Sequence, residues 1–160
     1  MFVAILLICS QKLNFMFKKL YVIVENTAVT AFIDNPSIPS KYHEAMINEA
    51  SSSIIEVLKN QMETGRLNDL IKYFRFAGIA NNSLVSGMVN KFANKLNNFY
   101  GLDPKSAWSL ANSIIPPAMQ ELIKQTKNEH NKEFALTNLL SKLNGNRADL
   151  SGLVNQMMVA

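Results

Sequence analysis

Cysteine occurs once in this chain, at Cys9. That excludes an intramolecular disulfide and any paired-cysteine metal or redox motif. Histidine occurs twice, at His43 and His130, with only twelve acidic residues, so stock for acid–base or metal chemistry is thin. Six glycines and five prolines in 160 residues leave few breaks, and alternating β-branched runs are sparse. Strong charge of one sign is also missing. The excess of +4 is divided between eight Lys/Arg against seven acids in residues 1–80 and eight against five in 81–160. Such spreading favours solubility without building a basic arm or patch. Eight consecutive apolar residues run from Phe2 to Cys9. A bilayer span needs about 20.

What remains is 48% hydrophobic and 18% charged, a composition that folds rather than one that stays disordered. One domain is expected over residues 16–160. The opening "MFVAILLICS" has no basic residue ahead of its apolar run, and Ile8 stands where a lipoprotein site takes a small residue. Translation is therefore expected to begin at Met16, with residues 1–15 a poorly packed extension. Together with the absence of a spanning segment, this places the protein in the cytoplasm.

The 3.6-residue period recurs from end to end, which predicts an all-α domain of about six to eight helices. Phe17, Leu20, Tyr21, Val24, Ala28, Ala31 and Phe32 define the core face of a helix over about 17–33. "DNPSIPS" at 34–40 reads as a loop, because Pro36 and Pro39 block continuation. Ser40 is the expected cap of a second helix reaching about residue 63, with Met46, Ala50, Ile54, Val57 and Leu58 inward and Gly65 as its stop. A short third helix uses Leu67, Leu70, Ile71 and Phe74 and ends by Gly78. The fourth carries Leu84, Val85, Met88, Val89, Phe92, Ala93, Leu96, Phe99 and Tyr100 on one stripe, ended by Gly101. Asp103 and Pro104 then supply the N-cap and first position of the fifth, with Leu102 able to staple onto its next turn. Two short helices, about 134–144 and 149–158, complete the expectation.

Within the fifth helix the stripe Ala107, Leu110, Ala111, Ile114, Ile115, Ala118, Met119, Leu122 and Ile123 stays in phase through Pro116 and Pro117. Those prolines remove two donors, freeing the carbonyls of Asn112 and Ser113, and their rings crowd the preceding turn. In a straight helix the cost exceeds about 3 kcal/mol. A kink or break near Ile115-Pro116-Pro117 is expected, with both halves facing one core.

"GLDPKSAWSLANSIIPPAMQELIKQT" at 101–126 resembles the central signature of the YidB-like family of bacterial proteins of unknown function. "DNPSIPSKYHEAMINEASSSI", "GRLNDLIKYF" and "LTNLLSKLNGNRADLSGLVNQM" match its subset with an N-terminal extension, so the resemblance covers roughly residues 16–157. Relatives are richer in glycine where this chain has Lys72 to Phe76 and Asn144 to Arg147. The resemblance implies an all-α fold and brings no catalytic residues.

Candidate chemistry is sparse. His43 with Glu44 and Glu49 lacks the spacing that sets two metal ligands on one helical face. Glu129, His130 and Glu133 read as a surface charge cluster, and an enzyme centred on them has the least support. No phosphate-loop, dinucleotide-binding or nucleophile-elbow motif occurs. Neither catalytic residues nor a metal or cofactor is expected. "KYFRF" at 72–76 interleaves cations with rings, with Phe74 inward and Tyr73 and Phe76 half exposed beside Arg75. Trp108, Met157 and Met158 are further candidates for an interaction surface. The reading is a non-enzymatic protein acting through a protein partner or as a homo-oligomer. The alternative is nucleic-acid binding through Lys72, Arg75, Lys91 and Lys95.

Overall fold

The computed structural model describes the backbone of residues 2–75, 82–127, 139, 140 and 143, and side chains from residue 17 onward within those ranges, Asn82 excepted. Every regular element among the described residues is helical: α1 (Phe2–Asp34), a 3-10 turn (Ser40–Tyr42), α2 (His43–Glu63), α3 (Leu67–Arg75), α4 (Asn82–Tyr100) and α5 (Pro104–Thr126). That is five α-helices among the described residues, where six to eight were expected. The expected helix at 149–158 lies outside them, and that at 134–144 is represented only by Leu139, Leu140 and Leu143, which are helical and buried.

Helices α1, α2, α4 and α5 form a closed ring: α1 packs on α2 and α5, and α4 packs on α2 and α5. Helix α3 sits at one side against α2. Each ring helix thus has two neighbours and buries more than a single stripe. Ile23, Ile47 and Ile55 are buried for this reason, although one-stripe reasoning omitted them. Ser51 and Ser53 sit in the same interior because each hydroxyl donates to the carbonyl one turn back, Ser51 to Ile47 at 2.8 Å and Ser53 to Glu49 at 2.7 Å.

Helix ends follow the chain's own punctuation. Gly65 has φ +77°, and beyond the end of α2 its amide donates to Met62 O while Arg66 N donates to Gln61 O. That pair of bonds satisfies two terminal carbonyls and requires the left-handed residue. Asp103 caps α5, its carboxylate accepting from Ser106 N at 3.1 Å. Ser40 does not cap α2. It opens the 3-10 turn instead, Tyr42 occupies the N-cap without a side-chain bond, and Tyr42 N donates to Pro39 O. The loop before it is held by Asn35, whose amide side chain donates to Ala31 O at 2.8 Å.

Helix α5 is a single element from Pro104 to Thr126, with Pro116 and Pro117 inside it, so of the expected kink or break no break interrupts the helix. All nine residues of its predicted stripe are buried. Pro117 is exposed and Pro116 half-buried, and the residues whose carbonyls they free, Asn112 and Ser113, are both exposed. Water can satisfy those oxygens, and outward tilt of solvent-side carbonyls accommodates the rings. The penalty is met on the outer face while the inner face packs undisturbed.

Candidate functional site on the outer face of the first helix

The core side of α1 is Leu20, Ile23, Val24, Ala28, Ala31 and Phe32. Its opposite side, Lys18, Val22, Glu25, Asn26, Val29, Thr30 and Ile33, is exposed. A solvated face normally carries charge at such positions. Here Val22 and Val29 are each 51% exposed and Ile33 is 72% exposed. Half of the six large exposed hydrophobics among the described residues therefore lie on one helical line, spaced four, three and four residues apart through Asn26.

Beside this line runs a groove of about 600 Å³ between α1 and α5. Lys18, Val22 and Asn26 form one wall, and Pro117, Glu121 and Gln125, one turn apart on α5, form the other. Gln125 Nε2 donates to Glu121 Oε1 at 3.2 Å, which steadies that wall. The arrangement is an apolar seam flanked by amide, carboxylate and ammonium groups.

The sequence candidates do not converge on one site. Tyr73 is a correction: it is buried, with its ring edge-on to Phe74 at 5.7 Å. Helix α3 buries residues 70, 71, 73 and 74, an arc of about 160° at 100° per residue, so Tyr73 falls inside it. Burial pushes its phenol up to about 12. Arg75 is half-buried, and its carbonyl accepts from Lys127 Nζ at 3.3 Å. Trp108 is half exposed on the first turns of α5. Phe76, Met157 and Met158 lie outside the described residues, as do Glu129, His130 and Glu133. Phe99, expected inside, is 69% exposed, because the last turn of α4 has nothing over that position among the described residues.

Two of the four cations proposed for nucleic acid are committed to acids. Lys91 Nζ lies 2.9 Å from Glu56, and Lys95 Nζ bridges Glu49 at 3.5 Å and Glu56 at 3.4 Å, tying α4 to α2. Partial burial pushes the Glu56 carboxyl up, but the Lys91 hydrogen bond and the nearby Lys95 and Lys91 charges outweigh it and hold the group below its usual range. His43 has its Nε2 enclosed without a hydrogen-bond partner among the described residues, and its ring stacks on Phe32. No three potential metal ligands cluster among the described residues, and no helix among them is long and apolar enough to cross a membrane.

No family model, curated protein or solved structure matches this chain.

Proposed function

We propose that this is a cytoplasmic, YidB-like, non-enzymatic helical protein that works by protein–protein contact or self-association. The observation that carries the contact reading is the line Val22–Val29–Ile33: three half or more exposed aliphatic side chains on a helix whose other side is core. Leaving aliphatic surface in water forgoes about 25 cal/mol per Å², which a partner covering it would recover. The family reading rests on the resemblance of residues 101–126, the segment that holds the Asp103 cap and the Pro104 start of α5.

The test is affinity capture from the native host with mass spectrometry, comparing the wild-type chain with a Val22→Glu, Val29→Glu, Ile33→Glu variant, alongside light scattering of each. The expected result is a specific captured chain or a self-associated species that the variant loses. A strict monomer that captures nothing specific overturns the reading.

A further inference from the structure

We infer that the occupant of the α1 seam is a second copy of this chain, docked in parallel along Val22, Asn26, Val29 and Ile33 with the two Asn26 side chains meeting on the two-fold axis. This deepens the contact reading above and rests on it. The four-three-four spacing is the 3.5-residue repeat that keeps one helix facing another along a supercoil. Val22 and Val29 occupy one type of seam position, and Asn26 and Ile33 the other. All four are exposed in the single chain.

Asn26 singles out a copy over an unrelated partner. A carboxamide carries both donor and acceptor, so an identical carboxamide across a two-fold axis satisfies it, and a lone asparagine in such a seam fixes register and strand number. The flanks agree. In a parallel pair the position before Asn26 faces the position after Val29 of the copy. That sets the Glu25 carboxylate, an acceptor, beside the Thr30 hydroxyl, a donor, with no like charges opposed there. The next layer toward the N-terminus would oppose Lys19 to its own copy, so the seam starts at Val22. The buried side of α1 faces its ring neighbours α2 and α5, and α5 borders the seam at Val22 and Asn26 through Pro117, Glu121 and Gln125.

A lipid surface is the competing occupant of an apolar helical face. Membrane-surface helices carry Lys and Arg on the flanks of a broad apolar face. This face is narrow and holds Glu25, Asn26 and Thr30 among its aliphatics.

From Val22 to Ile33 the seam is about 17 Å long at 1.5 Å per residue. It belongs with small, transient interfaces below about 1,200 Å² in total, so association is concentration-dependent.

The full-length chain is examined by sedimentation equilibrium from low micromolar to sub-millimolar concentration. The expected result is a monomer–dimer equilibrium, weakened at least tenfold by Val29→Glu with Ile33→Glu, with circular dichroism unchanged because both positions are exposed. Asn26→Val is expected to tighten association or raise its order, since it removes the polar layer that limits both. Asn26→Cys, made with Cys9→Ser, is expected to give a disulfide-linked dimer under oxidised glutathione. A wild-type chain that stays monomeric throughout overturns the inference, as does a dimer indifferent to the Val29 and Ile33 changes. Dimers without the Asn26→Cys cross-link overturn the parallel arrangement. Seam-dependent co-sedimentation of monomers with phosphatidylcholine–phosphatidylglycerol vesicles overturns the copy in favour of lipid. If the chain is monomeric but still captures a host protein through Val29 and Ile33, self-docking falls while the contact reading survives. Loss of both ends both.

Discussion

The imidazole of His43 lies flat on the ring of Phe32, with centroids 4.0 Å apart and planes 5° from parallel. This stack joins the last turn of α1 to the first of α2 across the proline loop. The His43 Nε2 is enclosed and meets no hydrogen-bond partner among the described residues. An unmet buried polar atom costs about 1–3 kcal/mol, whereas the aromatic pair contributes about 0.5–1.5 kcal/mol beyond its burial. His43→Phe keeps the stack and removes the orphan, so it is expected to stabilise the chain by about 1 kcal/mol. His43→Ala loses the stack and is expected to destabilise it. Thermal melts of the two variants give the signs, and a melting point lowered by His43→Phe would defeat this account.

Pro117 sits exposed inside a continuous helix, where it withholds the hydrogen bond that Ser113 O would accept. Pro117→Ala restores the donor. Its benefit is reduced by about 0.4–1 kcal/mol, because alanine leaves the unfolded chain freer than proline does. Against a helix penalty of roughly 3 kcal/mol for proline, the net expectation is a gain of about 2 kcal/mol. Urea denaturation measures it, and a lower midpoint would mean that the rings are supported by packing instead.

The buried phenol of Tyr73 holds its proton up to about 12 against an ordinary 10.0. The native chain therefore keeps a proton that the unfolded chain releases once pH passes 10. Stability is fully present below the unfolded value and is lost as pH rises through the folded one. Tyr73→Phe is expected to flatten this alkaline loss between pH 10 and 12. Denaturant midpoints of both chains across that range decide it, and parallel declines would place the alkaline sensitivity elsewhere.

Glu56, Lys91 and Lys95 join α2 to α4 at the surface, with Lys95 the least exposed of the three. Exposed pairs contribute about 0.2–1 kcal/mol. A double-mutant cycle of Glu56→Gln and Lys91→Met should return a coupling in that range, shrinking in high salt as screening grows. A coupling insensitive to salt would argue against an ionic origin.

Much of the architecture was legible where one physical signal dominated. The α5 stripe is complete because a helix between two neighbours must bury every apolar position in phase. Asp103, Pro104, Gly65 and Gly101 mark helix ends through local backbone chemistry that no distant contact overrides. No break interrupts α5 at Pro116, because the sequence shows that a donor is missing but not which side of the helix bears the loss. With the rings on the solvent side, the helix persists. Tyr73 failed as a site residue because a nine-residue helix lying against others is enclosed over a wide arc. The seam on α1 was hidden by the opposite effect. Val22, Val29 and Ile33 look like ordinary hydrophobic content until the inward residues are known, and only then do they stand on the wrong side.

Residues 106–120, between Lys105 and Glu121, form an uncharged stretch of fifteen that includes Trp108, Leu110, Ile114, Ile115 and Met119. On a newly made chain, before the ring closes, such a run is a template for cross-β stacking with neighbouring molecules. Adjacent imino acids cannot donate to an intermolecular ladder, so they interrupt such stacking at Pro116 and Pro117. The pair that the finished helix merely tolerates acts as a gatekeeper while the protein is still unfolded.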